Sequence, residues 1–189
     1  MRVGGFAMLT YVIEKTRGWR VLALAAAPVV WFQVALLLSG VYAGYVAAQG
    51  GRALEEAPFF DAATARERLD AVTAAGARDL AYAFYGLDLV NALLLAAAFS
   101  GLIAFGLRRL GWAGGPARFL LLFPASLLVA EAAENLFLAL SLGGAAGLGA
   151  AAGVATGIKF MLFSASALLA LGGLLAGAIA WGLQRRAKA

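Results

Sequence analysis

The chain has 189 residues, 63% of them hydrophobic and 13% charged, with a formal net charge of +5, no Cys and no His. A soluble domain of this size carries roughly a quarter charged residues, so this chain cannot cover a water-facing surface, and its composition is that of an integral membrane protein. The missing Cys and His exclude disulfide frameworks, thiolate or imidazole metal sites, haem on a His ligand and nucleophilic triads built on either residue. Carboxylate, Lys, Ser/Thr and Tyr chemistry remain, and neither a metal nor a cofactor is expected.

Phe6, Leu9, Val12 and Ile13 open the chain at helical spacing, ahead of Lys15, Arg17 and Arg20. The pattern fits a short helix lying in the membrane interface, with a disordered leader as the alternative. No charged residue occurs between Arg20 and Arg52, so residues 21–47 can cross about 30 Å of hydrocarbon at about 1.5 Å per residue. This first span starts too late and runs too long for a signal peptide, so the chain is expected to keep its N-terminus. Pro28 should kink it, and Gly40 and Gly44 form a GxxxG pair suited to close helix contact.

The segment after span one is more than a linker. Pro58, Phe59 and Phe60 precede Asp61, a good N-cap, and residues 61–75 read as an amphipathic outer helix with Ala65, Leu69 and Val72 on one stripe and Arg66, Arg68 and Asp70 elsewhere. Gly76 should bend it into span two, while the two Phe either enter the outer interface or cover the helices. Tyr42, Tyr45, Tyr82 and Tyr85 fall near the same interface, where an aromatic belt is the favoured reading over a ligand cage.

Three further spans follow at about 80–107, 119–142 and 153–183, the second of these containing Pro124. Gly149, Gly153 and Gly157 recur every fourth residue at the start of span four, as do Gly173 and Gly177 near its end, and both sets suit close helix packing. Lys and Arg near span ends tend to stay cytoplasmic. Arg2, Lys15, Arg17 and Arg20 precede span one, Arg108, Arg109 and Arg118 separate spans two and three, and Arg185, Arg186 and Lys188 follow span four. All fall on one side, which places both termini in the cytoplasm and the chain in the inner (cytoplasmic) membrane of a cell. This topology accounts for the net charge, so no nucleic-acid partner is expected; anionic lipid contact fits.

Ionisable groups inside spans are costly, roughly 2.5 to 3.5 kcal/mol each on insertion scales, and normally face the protein interior. Here they are Asp88, Glu131, Glu134 and Lys159. Asp88 and Asn91 stand three apart, Glu131, Glu134 and Asn135 occupy positions i, i+3 and i+4, and Thr156 lies three before Lys159, so each set shares a helix face. All four ionisable groups fall at similar depth in the outer half, which predicts one buried cluster with Lys159 paired to Asp88 or Glu134. Gln33 is the polar residue of span one. Two or three carboxylates against one ammonium should protonate a carboxylate, bind a cation or recruit Arg78 from the outer mouth. Catalysis has less support: Ser164 lies on another face from Lys159, Ser166 is two turns away, and no phosphate-loop motif occurs.

Phe60-Asp61, Leu87-Asp88-Leu89, Glu134-Asn135-Leu136 and Thr156-Gly157-Ile158-Lys159 together resemble the polar signature of a family of uncharacterised bacterial four-helix membrane proteins, over roughly residues 59 to 165. The resemblance implies that Asp61, Asp88, Glu134, Asn135, Thr156 and Lys159 belong to that signature and implies no activity. The expected architecture is an all-α, integral membrane four-helix bundle forming one transmembrane domain, with a helical outer loop capping an outward-facing polar pocket. The expected function is non-enzymatic, namely binding of a proton, an ion or a small polar or lipid ligand at Asp88, Asn91, Glu131, Glu134, Asn135, Thr156, Lys159 and Arg78. The competing reading is a structural or accessory subunit whose buried charges are interhelical glue; a lipid-modifying enzyme ranks below both. The expected partners are the bilayer, such a ligand, and a second copy of the chain or another membrane protein.

Overall fold

A computed structural model describes residues 4–145 and 147–186, with side chains from Leu9 onward; Arg2, Lys188 and the side chain of Phe6 lie outside the described residues. Among the described residues there is no strand. Seven α-helices run in the order α1 (Gly4–Lys15), α2 (Trp19–Trp31), α3 (Val41–Ala48), α4 (Ala62–Ala74), α5 (Arg78–Arg109), α6 (Leu122–Leu142) and α7 (Leu148–Arg186). Among the described residues, four stretches are long and apolar enough to cross a membrane: Trp19–Leu38, Arg78–Arg109, Pro116–Leu142 and Leu148–Arg186.

The first span is shorter than its uncharged run. α2 passes through Pro28 into a π-helical segment, Phe32–Leu38, and stops. Ser39 Oγ then donates to the Ala35 carbonyl at 2.5 Å and accepts from Val41 N–H at 3.2 Å, while Gly40 takes a left-handed φ of 76°. A Cβ on Gly40 would meet nothing within 4 Å, so this glycine serves a chain reversal rather than helix contact. α3 is therefore a separate short helix. Pro124 is not a mid-span kink either: it is the third residue of α6, after the 3-10 turn Pro116–Leu121, where a missing N–H breaks no helical bond.

The chain folds into two compact units, each fed by all four spans. The first contains the described residues up to Pro28, Leu94–Ser126 and those from Leu162 on. Its core joins Ile13 to Ile103, Ala104, Leu107, Leu121 and Ala170, with Leu9 and Val12 packed alongside. The N-terminal amphipathic pattern thus forms a helix seated in this core, and the Arg108 guanidinium fastens it by donating to the Ile13 carbonyl. α5 and α7 touch backbone to backbone here. A Cβ on Gly106 would stand 2.5 Å from Gly173 Cα, and one on Gly177 would stand 2.6 Å from the Phe105 ring, so the Gly173/Gly177 pair packs against α5 within the chain.

The second unit comprises Val29–Leu93 and Leu127–Met161. Its core is built from Leu36, Tyr45, Leu54, Leu69, Val72, Phe84, Tyr85, Leu138 and Leu142. α4 forms as its sequence predicts: Asp61 Oδ1 caps Thr64 N–H at 2.8 Å, and Ala65, Leu69 and Val72 are buried. It ends at Gly76, φ 67°, where Ala77 N–H reaches the Val72 carbonyl and Gly76 N–H the Thr73 carbonyl. This left-handed cap turns the chain directly into α5. The glycine row of α7 accepts this outer segment rather than another span. A Cβ on Gly149 would press on Ala65, one on Gly153 would collide with the Phe60 carbonyl, and one on Gly157 with the Phe59 ring. Phe59 and Phe60 therefore cover the unit's helices.

Candidate functional site

The charged residues of three spans meet in the second unit. Lys159 Nζ stands 2.5 Å from Glu134 Oε2 and 3.3 Å from Glu131 Oε1. Thr156, one turn before Lys159 on α7, has its hydroxyl 2.7 Å from Glu134 Oε1 and 2.9 Å from the Ala152 carbonyl, two acceptors for a single proton. Both oxygens of Glu134 are thus engaged, one by an ammonium and one by a hydroxyl, at zero solvent exposure. Such charge-assisted contacts are what make a fully buried carboxylate tolerable.

Asp88 joins through α6. Asn135 Nδ2 lies 3.4 Å from Asp88 Oδ2 and 3.4 Å from the Tyr85 carbonyl, so one amide ties α5 to α6 on the face that carries Glu131 and Glu134. Asp88 is half-buried and an electrostatic neighbour of Glu131, Glu134 and Lys159. The structure therefore pairs Lys159 with Glu134, as one of the two expected partners, and adds Glu131 in place of Asp88.

Among the described bonds of the cluster, none is to Arg78 or Asn91. Arg78 is exposed and its Nε donates to Thr73 Oγ1 at 3.2 Å. It sits in the first turn of α5, close along the chain to the α4 cap that binds it. Asn91 has a buried Oδ1 with no hydrogen-bond partner among the described residues. Gln33 is exposed on the π-helical segment and has no place in the site. The pocket expected beside the cluster is also differently built. A cavity of about 270 Å³ in this unit is lined by Ala62, Ala65, Arg66, Asp70, Ser141 and Gly149 among others, and by none of the cluster side chains.

A second buried network adjoins the cluster and has no counterpart in the sequence reading. The 3-10 turn Leu54–Glu56 buries Glu55, whose Oε1 accepts the Tyr45 hydroxyl at 2.5 Å. Tyr45 and Tyr85 hydroxyls lie 3.0 Å apart, and the Tyr45 ring stacks on Phe84 at 4.4 Å. Tyr45 and Tyr85 are thus core residues, not members of an interfacial belt; Tyr82 is exposed, as a belt residue would be. Gln49, also buried, accepts from Leu54 N–H at 2.8 Å, and Arg68 of α4 donates to the Gln49 carbonyl. The outer segment is thereby pinned at both ends.

Burial pushes the Glu55 carboxyl up to about 7, against the opposing pull of the Tyr45 hydroxyl; Glu134 raises it further and Lys159 lowers it. Glu55 therefore feels the cluster charges without touching them. At exposed Asp61, by contrast, the Thr64 N–H cap holds the carboxyl below its ordinary value. Several buried acceptors around the site find no donor among the described residues: Glu55 Oε2, Asn91 Oδ1 and Asn135 Oδ1. Gln49 Nε2, a donor in the same network, likewise finds no acceptor among the described residues. No family model, curated protein or solved structure matches the chain.

Proposed function

We propose that this is a multi-span membrane protein whose second unit holds a proton-binding site, formed by Asp88, Glu131 and Glu134 around Lys159. The observation that carries this reading is the excess of carboxylates over cations around buried Glu131 and Glu134. Glu131 and Glu134 share one ammonium, Asp88 is their electrostatic neighbour, and Glu55 adds a further carboxyl within electrostatic reach. Low-dielectric sites of this kind relieve their charge by taking up protons. A proton fits better than a molecule, because the adjoining cavity includes none of the four side chains. It fits better than a divalent ion, because among the described residues no three carboxylates converge as a ligand set.

The test is infrared difference spectroscopy of the chain in lipid, on a Glu55→Gln background so that Glu55 does not contribute. A protonated carboxylic acid band at neutral pH that disappears in Glu131→Gln, Glu134→Gln or Asp88→Asn supports the reading. A spectrum with no such band, or one unchanged in all three variants, overturns it. The competing structural reading is favoured by one specific feature, the closure of Lys159 and Thr156 onto Glu134. It predicts that the carboxylates exchange no proton between about pH 5 and 9.

The basic span ends support an orientation with both termini cytoplasmic in an inner membrane. The chain contains no Cys, so single substitutions give a clean test. Ala63→Cys should react with an impermeant thiol reagent from outside intact cells and Gly114→Cys only after permeabilisation; the reverse pattern inverts the topology.

A further inference from the structure

The first unit contains a cavity of about 490 Å³ lined by Arg17, Arg108 and Arg109 together with Leu22, Leu102 and Leu174. Three guanidiniums and an apolar wall in one cavity are a mixed chemistry that neither an inorganic ion nor a purely apolar molecule satisfies. Its lining includes no carboxylate, and among the described residues none of the three arginines pairs with one. Arg17 and Arg109 act electrostatically on the half-buried Arg108, so the three charges crowd together.

Two of these arginines are also held in place. Arg108 is fixed by its bond to the Ile13 carbonyl, and Arg109 lies 5.7 Å from the Phe105 ring centre and 5.8 Å from that of Trp181. A guanidinium already ordered by cation–π contact loses little freedom on taking a ligand. The level of the cavity is informative. Arg17 immediately precedes the first span, Trp19–Leu38, and Arg109 closes the second, Arg78–Arg109, so the charges stand where headgroups stand and the leucines reach into the spans.

We propose that this cavity binds an anionic phospholipid, its phosphate among Arg17, Arg108 and Arg109 and the start of an acyl chain along Leu22, Leu102 and Leu174. A zwitterionic lipid carries the same phosphate, but its ammonium finds no carboxylate in the lining. The site is independent of the carboxylate cluster, and its test does not depend on proton binding.

The full chain in detergent is titrated with phosphatidylglycerol, phosphatidylcholine and inorganic phosphate, with bound lipid counted by native mass spectrometry. Phosphatidylglycerol should bind at one saturable site and the other two weakly or not at all. Arg17→Gln with Arg109→Gln should weaken it about 30-fold, from the usual contribution of two basic residues at an anionic lipid surface. Arg108 is left intact because it fastens α1. Arg20→Gln with Arg186→Gln removes the same charge away from the cavity and should change affinity less than about threefold. Leu22→Trp narrows the apolar side while keeping every arginine, and should also weaken binding. Equal loss in the two arginine pairs means diffuse attraction and overturns the site. So does equal binding of phosphatidylcholine, binding of inorganic phosphate alone, or an unaffected Leu22→Trp.

Discussion

Glu55 offers the sharpest quantitative test because its environment is closed and its replacement is nearly isosteric. Burial beside Tyr45 moves its carboxyl from 4.5 to about 7, a change worth about 3 kcal/mol between the protonated and ionised forms. The folded state holds this proton more tightly than the unfolded chain. Its contribution to stability is therefore fully present below about pH 4.5 and is lost as pH rises through about 7. Glu55→Gln keeps an acceptor for the Tyr45 hydroxyl, now 2.5 Å from Glu55 Oε1, and cannot ionise. The variant should match wild type near pH 4 and exceed it by about 3 kcal/mol at pH 8, measured by denaturant unfolding in detergent. Taking the difference between the two proteins at each pH removes contributions common to both. A flat difference across this window, or a variant less stable at pH 8, would refute the claim that Glu55 is buried at the cost of its charge.

Two further predictions concern the neighbouring packing. Lys159→Met should destabilise the chain by about 3 to 5 kcal/mol, because Glu131 and Glu134 lose their shared ammonium inside the protein; adding Glu131→Gln and Glu134→Gln should restore part of the loss in thermal unfolding, and no recovery would show that the ammonium acts through packing alone. Gly153→Ala should lower stability by about 1 to 3 kcal/mol, since the new methyl meets the Phe60 carbonyl, which cannot swing aside as a side chain can. Gly172→Ala, with nothing within 4 Å, should be neutral or stabilising in the same assay.

The four spans were legible because length and apolarity are properties of a contiguous segment, and the observed helices overlap the expected ones throughout. The break at Gly40 was not. A run without charges looks the same whether its helix continues or stops, and Ser39 and Gly40 act through local hydrogen bonds and a left-handed turn that hydropathy does not register. The cluster was legible for the opposite reason: ionisable residues are rare in spans, and spacings of three and four place Glu131, Glu134 and Asn135 on one face. Sequence spacing orders residues along one helix and does not choose partners between helices. It therefore left Lys159 with two candidate partners and did not foresee the bond from Arg78 to Thr73.

Glu55 and Gln49 escaped because they sit in a connection with no periodicity, where an acidic or amide residue reads as solvated. Their burial comes from the segment's docking, and the docking has a sequence trace in the glycine row of α7. Small residues every fourth position announce that something approaches the backbone closely; they do not say whether it is a helix or a loop. Here Ala65, Phe60 and Phe59 fill that face, while Arg68 and Gln49 fasten the preceding turn. The loop is thus part of the second unit's core, and it carries an ionisable carboxylate into electrostatic contact with Glu134 and Lys159. Loss of a proton from Glu55 and loss of one from the cluster must then influence each other, since each adds a negative charge to the same low-dielectric region. A change of pH at the loop reaches the spans without any moving part.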